Sequence, residues 1–290
     1  MAHHLAALIS GLLLLAIAGA PAASQDAAVQ KDDSAPAKEE GIEPQTLYPP
    51  LPPHAAALTL QCSVPQSEVA KPAPMPNTAA RIETNKKMRV LAIGSSATWT
   101  GNRSGSYPSR LEKLLENVWK GVDVEVVNRG VSGEIASVSA RRLINEAAIL
   151  KPTMVLWQLG TNDAVARVPL VEFETTVRAT VRMLQKNKID VVLVGLQYTP
   201  KFARDDHWFA IRSALDRIAA EENLLYVRRD KAMEFLAQTR AAADVSADDE
   251  FSLTDLGFPC MAEHIAQAMV ANIFLRRSGD RRGAAPAPVR

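Results

Sequence analysis

Of 290 residues only two are cysteine, Cys62 and Cys260, and only five are histidine. No Cys/His cluster has metal-ligand spacing and no glycine-rich phosphate loop occurs, so neither a metal nor any other cofactor is expected. Charge of one sign is lacking too: 33 Lys and Arg against 32 Asp and Glu leave a net charge of +1. A nucleic-acid partner calls for a strong basic field. This balance supplies none, and a small-molecule or neutral polymer substrate fits better. The longest apolar run falls short of the roughly 20 residues of a membrane span, and no internal repeat is visible.

What is present divides the chain into four parts. Leu5 to Ala20 is apolar and leads into small residues at Ala20, Ala22 and Ser24, which reads as a signal peptide over residues 1–24. Met1-Ala2-His3-His4 in front of it carries no Lys or Arg, and an uncleaved anchor has a similar composition; the short run favours cleavage, leaving no stable membrane span. The two cysteines agree with export to the periplasm or beyond the cell, where an even pair favours a bridge over two unrelated buried thiols. Such a bridge would tie the N-terminal segment to the last helix, with a ceiling of roughly 5 kcal/mol in the chain-entropy model.

Residues 21–80 hold eleven of the eighteen prolines, as in Tyr48-Pro49-Pro50-Leu51-Pro52-Pro53. No periodic apolar face survives there, so residues 25–80 are expected to form an extended linker pinned near Cys62. Residues 279–290, basic and rich in Pro and Ala, read as a disordered tail. The domain itself is expected over residues 81–278.

Within it, short β-branched runs alternate with longer amphipathic ones. Strands are predicted at Arg89–Ile93, Val124–Val127, Met154–Trp157, Val191–Gly195 and Leu225–Val227. Helices are predicted at Tyr107–Lys120, Glu134–Leu150, Leu170–Asn187, Asp206–Glu222, Lys231–Arg240 and Asp255–Arg276. Alternation of this kind implies right-handed crossovers and an α/β fold: a three-layer α/β/α domain on a parallel sheet of about five strands. Ligands in such sheets bind at the carboxyl ends of the strands. Three turn residues fall at that rim: Ser96 after the first strand, Gly133 after the second and Asn162 after the third.

Each has an ordinary structural reading alone. Ser96 could belong to a plain turn, Gly133 could open a helix and Asn162 could cap one. Together, Ile93-Gly94-Ser95-Ser96, Gly130-Val131-Ser132-Gly133 and Gly160-Thr161-Asn162-Asp163 resemble three blocks of the SGNH (GDSL-type) serine ester hydrolase family, in its order. The resemblance implies a flavodoxin-like sheet and a small-molecule or carbohydrate ester as substrate. It makes Ser96 the nucleophile, and its backbone N–H, the Gly133 N–H and the Asn162 amide the oxyanion hole. A side chain at Gly133 is expected to crowd the incoming ester oxygen.

The family's fourth block reads Asp-x-x-His. Here it is Asp249-Glu250-Phe251-Ser252, so Asp249 stands at the orienting acid and Ser252 replaces the base. Serine cannot take a proton near neutral pH, which excludes a simple triad. Among other histidines, His207 follows the fourth predicted strand and shares the rim, so it is the candidate surrogate base; its ordinary reading is the first turn of a helix begun by Asp205 or Asp206. His264 is expected to point elsewhere, and His54 could approach only if Cys62 bridges to Cys260. Trp99 and Tyr107 either wall the site or pack its loop. Charged residues on the helices are read as solvated faces. Three readings follow: an exported esterase with an unconventional base, a pseudoenzyme that binds an acylated ligand or glycan, or an envelope interaction protein. The sequence leaves the oligomeric state open.

Overall fold

A computed structural model describes residues 56–95, 98, 106–242 and 257–283. Along the chain they form a 3-10 turn at Leu60–Cys62, helix α1 (Gln66–Val69), strand β1 (Ala70–Lys71), α2 (Pro76–Glu83), β2 (Met88–Ile93), α3 (Tyr107–Val118) and β3 (Val124–Asn128). Next come α4 (Ala136–Leu150), β4 (Met154–Gln158), α5 (Thr161–Val165), α6 (Leu170–Lys186), β5 (Asp190–Val194) and a 3-10 turn at Phe202–Arg204. The chain continues through α7 (Asp206–Glu221), β6 (Leu225–Val227), α8 (Arg229–Ala242) and α9 (Gly257–Gly283). The expected signal peptide, His3, His4, His54, Ser96, Trp99, Asp249 and Ser252 lie outside the described residues. Among the described residues no helix is long and apolar enough to cross a membrane.

The sheet runs in the order β1-β6-β5-β4-β2-β3. Strands β2 to β6 pair in parallel and only β1 is antiparallel, Ala70 opposite Val227. Without β1 the five parallel strands follow the flavodoxin-like order, so the expected fold class holds. Strands β4 and β5 are buried at every residue, which is why Met154-Val155-Leu156-Trp157 reads as an unbroken apolar run rather than an alternating one. Alternate residues still serve opposite layers. Val90, Leu156, Val192 and Val194 pack against Leu111 and Leu115 of α3 and Ile265 and Met269 of α9. Leu91, Val155, Trp157 and Leu193 pack against Val177, Val181 and Leu184 of α6 and Leu215 of α7. The four-residue spacing of Phe173, Val177 and Val181 gives α6 one buried face. Truncating such a fully buried aliphatic chain to Ala costs about 2–5 kcal/mol.

Two boundaries differ from expectation. From Ala56 onward the expected linker is part of the fold: α2 starts on Pro76, and its first N–H groups are capped from across the sheet by Asp190. That carboxylate accepts from Thr78 N at 2.7 Å and Asn77 Nδ2 at 2.8 Å. Cys62 and Cys260 form a disulfide, and with Val64, Val69, Ala232 and Leu236 they make a third small core against α8. At the other end α9 runs to Gly283, past the expected start of the tail at residue 279.

Candidate active site

The carboxyl ends of β2, β3 and β4 are joined by hydrogen bonds that pin the predicted motif residues to one another. After β2, Gly94 admits no side chain: a Cβ would lie 2.6 Å from Thr98 Oγ1 and 2.8 Å from the Gln158 carbonyl oxygen. That close approach lets Ser95 dock on the end of β4. Its backbone N–H and its hydroxyl both donate to Gln158 Oε1, each at 3.2 Å. Thr98 shares the same amide at 3.5 Å and meets the Tyr107 hydroxyl at 3.2 Å. Ser96 follows Ser95 directly and lies outside the described residues.

The turn after β3 is held to β2, with Val131 N donating to Gly94 O at 2.8 Å. Gly133 has φ +82°, a region that favours glycine. A Cβ there would meet no protein atom within 4 Å, so within the fold itself it is the backbone conformation that favours glycine. Asn162, in the first turn of α5, donates through Nδ2 to Glu134 O at 2.8 Å. One of its two amide protons is thereby held on the residue after Gly133. Asp163 underlies both. Buried at 1% exposure, it accepts from Ala136 N at 2.7 Å and Gly160 N at 3.1 Å, so it locks the start of α4 to the start of α5. Burial pushes its carboxyl above the usual range even though these N–H groups pull it down.

A pocket of about 360 Å³ opens here, lined by Ser95, Gln158, Asn162, Gln197, Lys201 and Arg229 among others. Gln158 and Arg229 were not anticipated. Gln158 is a buried polar residue closing an apolar strand, and Arg229 follows β6 by two residues and opens α8, so the rule that pointed to the rim also covers them. Arg229 is 5% exposed, contrary to the expectation that helix charges are solvated. Tyr107 is fully buried, meets Thr98 and does not line the pocket.

Neither histidine among the described residues lines this pocket. His207 sits in the first turn of α7, where Asp205 caps the helix by accepting from its backbone N–H at 2.9 Å. Its Nε2 is 3.0 Å from Val168 O, and it lines an adjoining open hollow with Arg167 and Asp205. His264 is buried on α9 with Nε2 2.8 Å from Cys62 O. Another hollow, about 640 Å³, lies between Asn77, Lys151 and Asn187. It opens at the amino ends of β4 and β5, away from the rim where ligands of such sheets bind. No group of His, Cys, Asp and Glu among the described residues could hold a metal ion.

A model of the "Non-GDSL lipase-like family" matches residues 61–274. An arylesterase of Vibrio mimicus is 23% identical over 198 residues, covering 67% of this chain and 94% of that protein. Esterase TesA of Pseudomonas aeruginosa is 26% identical over 115 residues, covering 39% of this chain and 56% of that protein. In structure the chain is similar to a lipolytic protein of the G-D-S-L family from Desulfitobacterium hafniense, at 25% identity and TM-score 0.50, covering 62% of this chain and 99% of that one. It is also similar to Axe2, an acetylxylan esterase from Geobacillus stearothermophilus, at 20% identity and TM-score 0.53, covering 63% and 94%. The last likeness concerns the fold alone.

Proposed function

Because the chain belongs to the non-GDSL lipase-like family, a group of the SGNH/GDSL type, we propose that it is an exported hydrolase of acyl or acetyl esters of small molecules or carbohydrates. Ser96 Oγ attacks the ester carbonyl carbon, the alcohol leaves, and water then releases the acid from the acyl-enzyme. The developing oxyanion is received by the N–H groups of Ser96 and Gly133 and by the Asn162 amide. One observation carries this reading: Asn162 Nδ2 is bonded to Glu134 O at 2.8 Å, which ties the turn of the second motif to the third, and Asn162 lines one pocket with Ser95. Export is supported by the apolar N-terminal run and by the disulfide.

A second reading is favoured by the histidines. With Ser252 at the base position and His207 held at Val168 O outside the pocket lining, the site is equipped to recognise an ester better than to deprotonate Ser96. Loss of the base in a serine triad costs about a millionfold in turnover, while the oxyanion hole and binding retain about 10³-fold or more over water. The proposed enzyme is therefore slow, and its limit is a pseudoenzyme that holds an acylated ligand or glycan. Hydrolysis of 4-nitrophenyl acetate by the purified protein separates the two. Slow turnover that S96A abolishes and S252H raises by about 10²–10⁴-fold, the usual size of a general-base contribution, supports the enzyme. Turnover that survives S96A overturns it, and turnover seen only in S252H makes the natural chain a binding protein.

A further inference from the structure

The least expected group in the pocket is Arg229. The residue is only 5% exposed, yet it lines the cavity with Ser95, Gln158 and Asn162. Its Nε is buried without a hydrogen-bond partner among the described residues. The acid next in sequence makes no bond to it: Asp230 Oδ2 is bonded to Arg212 Nε at 2.6 Å, and its attraction for the cation is outweighed by burial. Arg229 also opens α8, so a cation stands at the positive end of a helix dipole. Burial lowers it from the usual arginine range to about 10, which leaves it charged at neutral pH. Desolvation, dipole and missing partner all oppose a cation at this point.

The rest of the lining repeats the pattern. Lys201 adds a second positive charge on the exposed side of the same cavity. The other polar lining groups are amides and hydroxyls, and no Asp or Glu lines the pocket among the described residues. A guanidinium fork between neutral hydrogen-bonding groups, with a lysine beside it, matches an oxyanion in geometry and in charge.

We propose that the pocket selects esters bearing an oxyanionic group, carboxylate or phosphate, which docks on Arg229 with Lys201 at its exposed side while the ester carbonyl turns toward Asn162. This deepens the reading of the pocket as an ester site and rests on it. It makes Arg229 a specificity-determining residue.

Equilibrium binding tests it without turnover. Monomethyl succinate and dimethyl succinate differ in one negative charge, and 2-acetoxyethyl phosphate offers the alternative anion; each is titrated by NMR into the intact protein. The expected result is that an anionic ester binds roughly 10–100-fold more tightly than the neutral one, the range of a hydrogen bond to a charged group. The better of the two anions identifies the source. R229Q is expected to abolish the preference, R229K to restore part of it and K201Q to reduce it by a smaller factor. Should R229Q fail to fold, the wild-type comparison and K201Q still decide. Equal binding of neutral and anionic esters to the wild type overturns the proposal, as does a preference that R229Q leaves unchanged. Arg229-dependent anion binding without Ser96-dependent hydrolysis refutes the hydrolase reading alone. Hydrolysis without anion preference refutes the anion subsite alone.

Discussion

The two walls of the pocket differ in how their polar groups are satisfied. On the β3/β4 side, Asn162, Asp163, Ser95 and Gln158 are linked by bonds of 2.7–3.2 Å that cross from one turn to the next. On the β6 side, Arg229 Nε is buried without a partner among the described residues. A wall that must stabilise transient charge gains from donors fixed before the reaction, because nothing need reorganise when the charge appears. Unpartnered buried groups work the other way: they cost stability until something arrives to meet them. The first wall is built to act and the second to be filled.

The largest break of this contrast lies behind the second wall. The Cys62–Cys260 bridge closes a separation of 198 residues and packs on Ala232 and Leu236 of α8, the helix that Arg229 begins. The C62A/C260A double variant is expected to lose about 2–5 kcal/mol in urea unfolding, with the entropy model's value near the upper end. Its amide exchange should rise in α8 before α4 and α5. Uniform acceleration in both walls would show that they are not separately supported.

N162A attacks the first wall. If the oxyanion hole works as proposed, Ser96-dependent hydrolysis of an aryl ester falls about 10²–10³-fold in kcat with little change in KM, since the lost bond matters most in the transition state. Binding of an anionic ester to Arg229 should hold. A large loss of that binding would mean that the two walls are one unit.

Much of this architecture was legible in the sequence. Leu225–Val227 was predicted with its observed ends, and the starts of α3, α6 and α7 at Tyr107, Leu170 and Asp206 were found as well, because strand runs and apolar stripes are local signals. What the sequence hid is non-local. Strand β1 has two residues and so no period, and the start of α2 depends on a cap from Asp190, 113 positions away. In the site, the shared rim of Gly133 and Asn162 could be read because each follows a strand. Asp163 could not, since its role needs the N–H groups of two turns to converge on it. Arg229 falls between the predicted strand Leu225–Val227 and the predicted helix Lys231–Arg240, and only its burial separates it from a solvated charge. His207 resembled a rim residue and is one, yet its ring is engaged by the Val168 carbonyl, which no spacing in the sequence reveals.

The smallest expected effect concerns His264, which stands beside the disulfide and well apart from the chemistry. Its Nε2 is 2.8 Å from the Cys62 carbonyl, so the neutral ring carries its proton on Nε2 and donates it. Burial holds its pKa below the usual 6.5, against a weaker upward pull from the Cys62 carbonyl and the neighbouring Glu263. The unfolded chain therefore binds a proton that the folded one refuses. Stability from this group is complete above about pH 6.5 and is lost as pH falls toward the folded pKa, with a slope of at most about 1.4 kcal/mol per pH unit for one proton. Asp163 and Asp230, both raised by burial, act oppositely: the fold keeps protons that the unfolded chain has released, so their terms favour folding at lower pH. The total profile mixes these terms, and a paired comparison isolates one. Urea unfolding of the wild type and H264Q at pH 7.5 and 5.5 should give a larger acid loss in the wild type, because glutamine keeps a donor for the Cys62 carbonyl and cannot titrate. Equal losses would show that His264 is not held neutral, and that the anchor behind the cationic wall is insensitive to pH in this range.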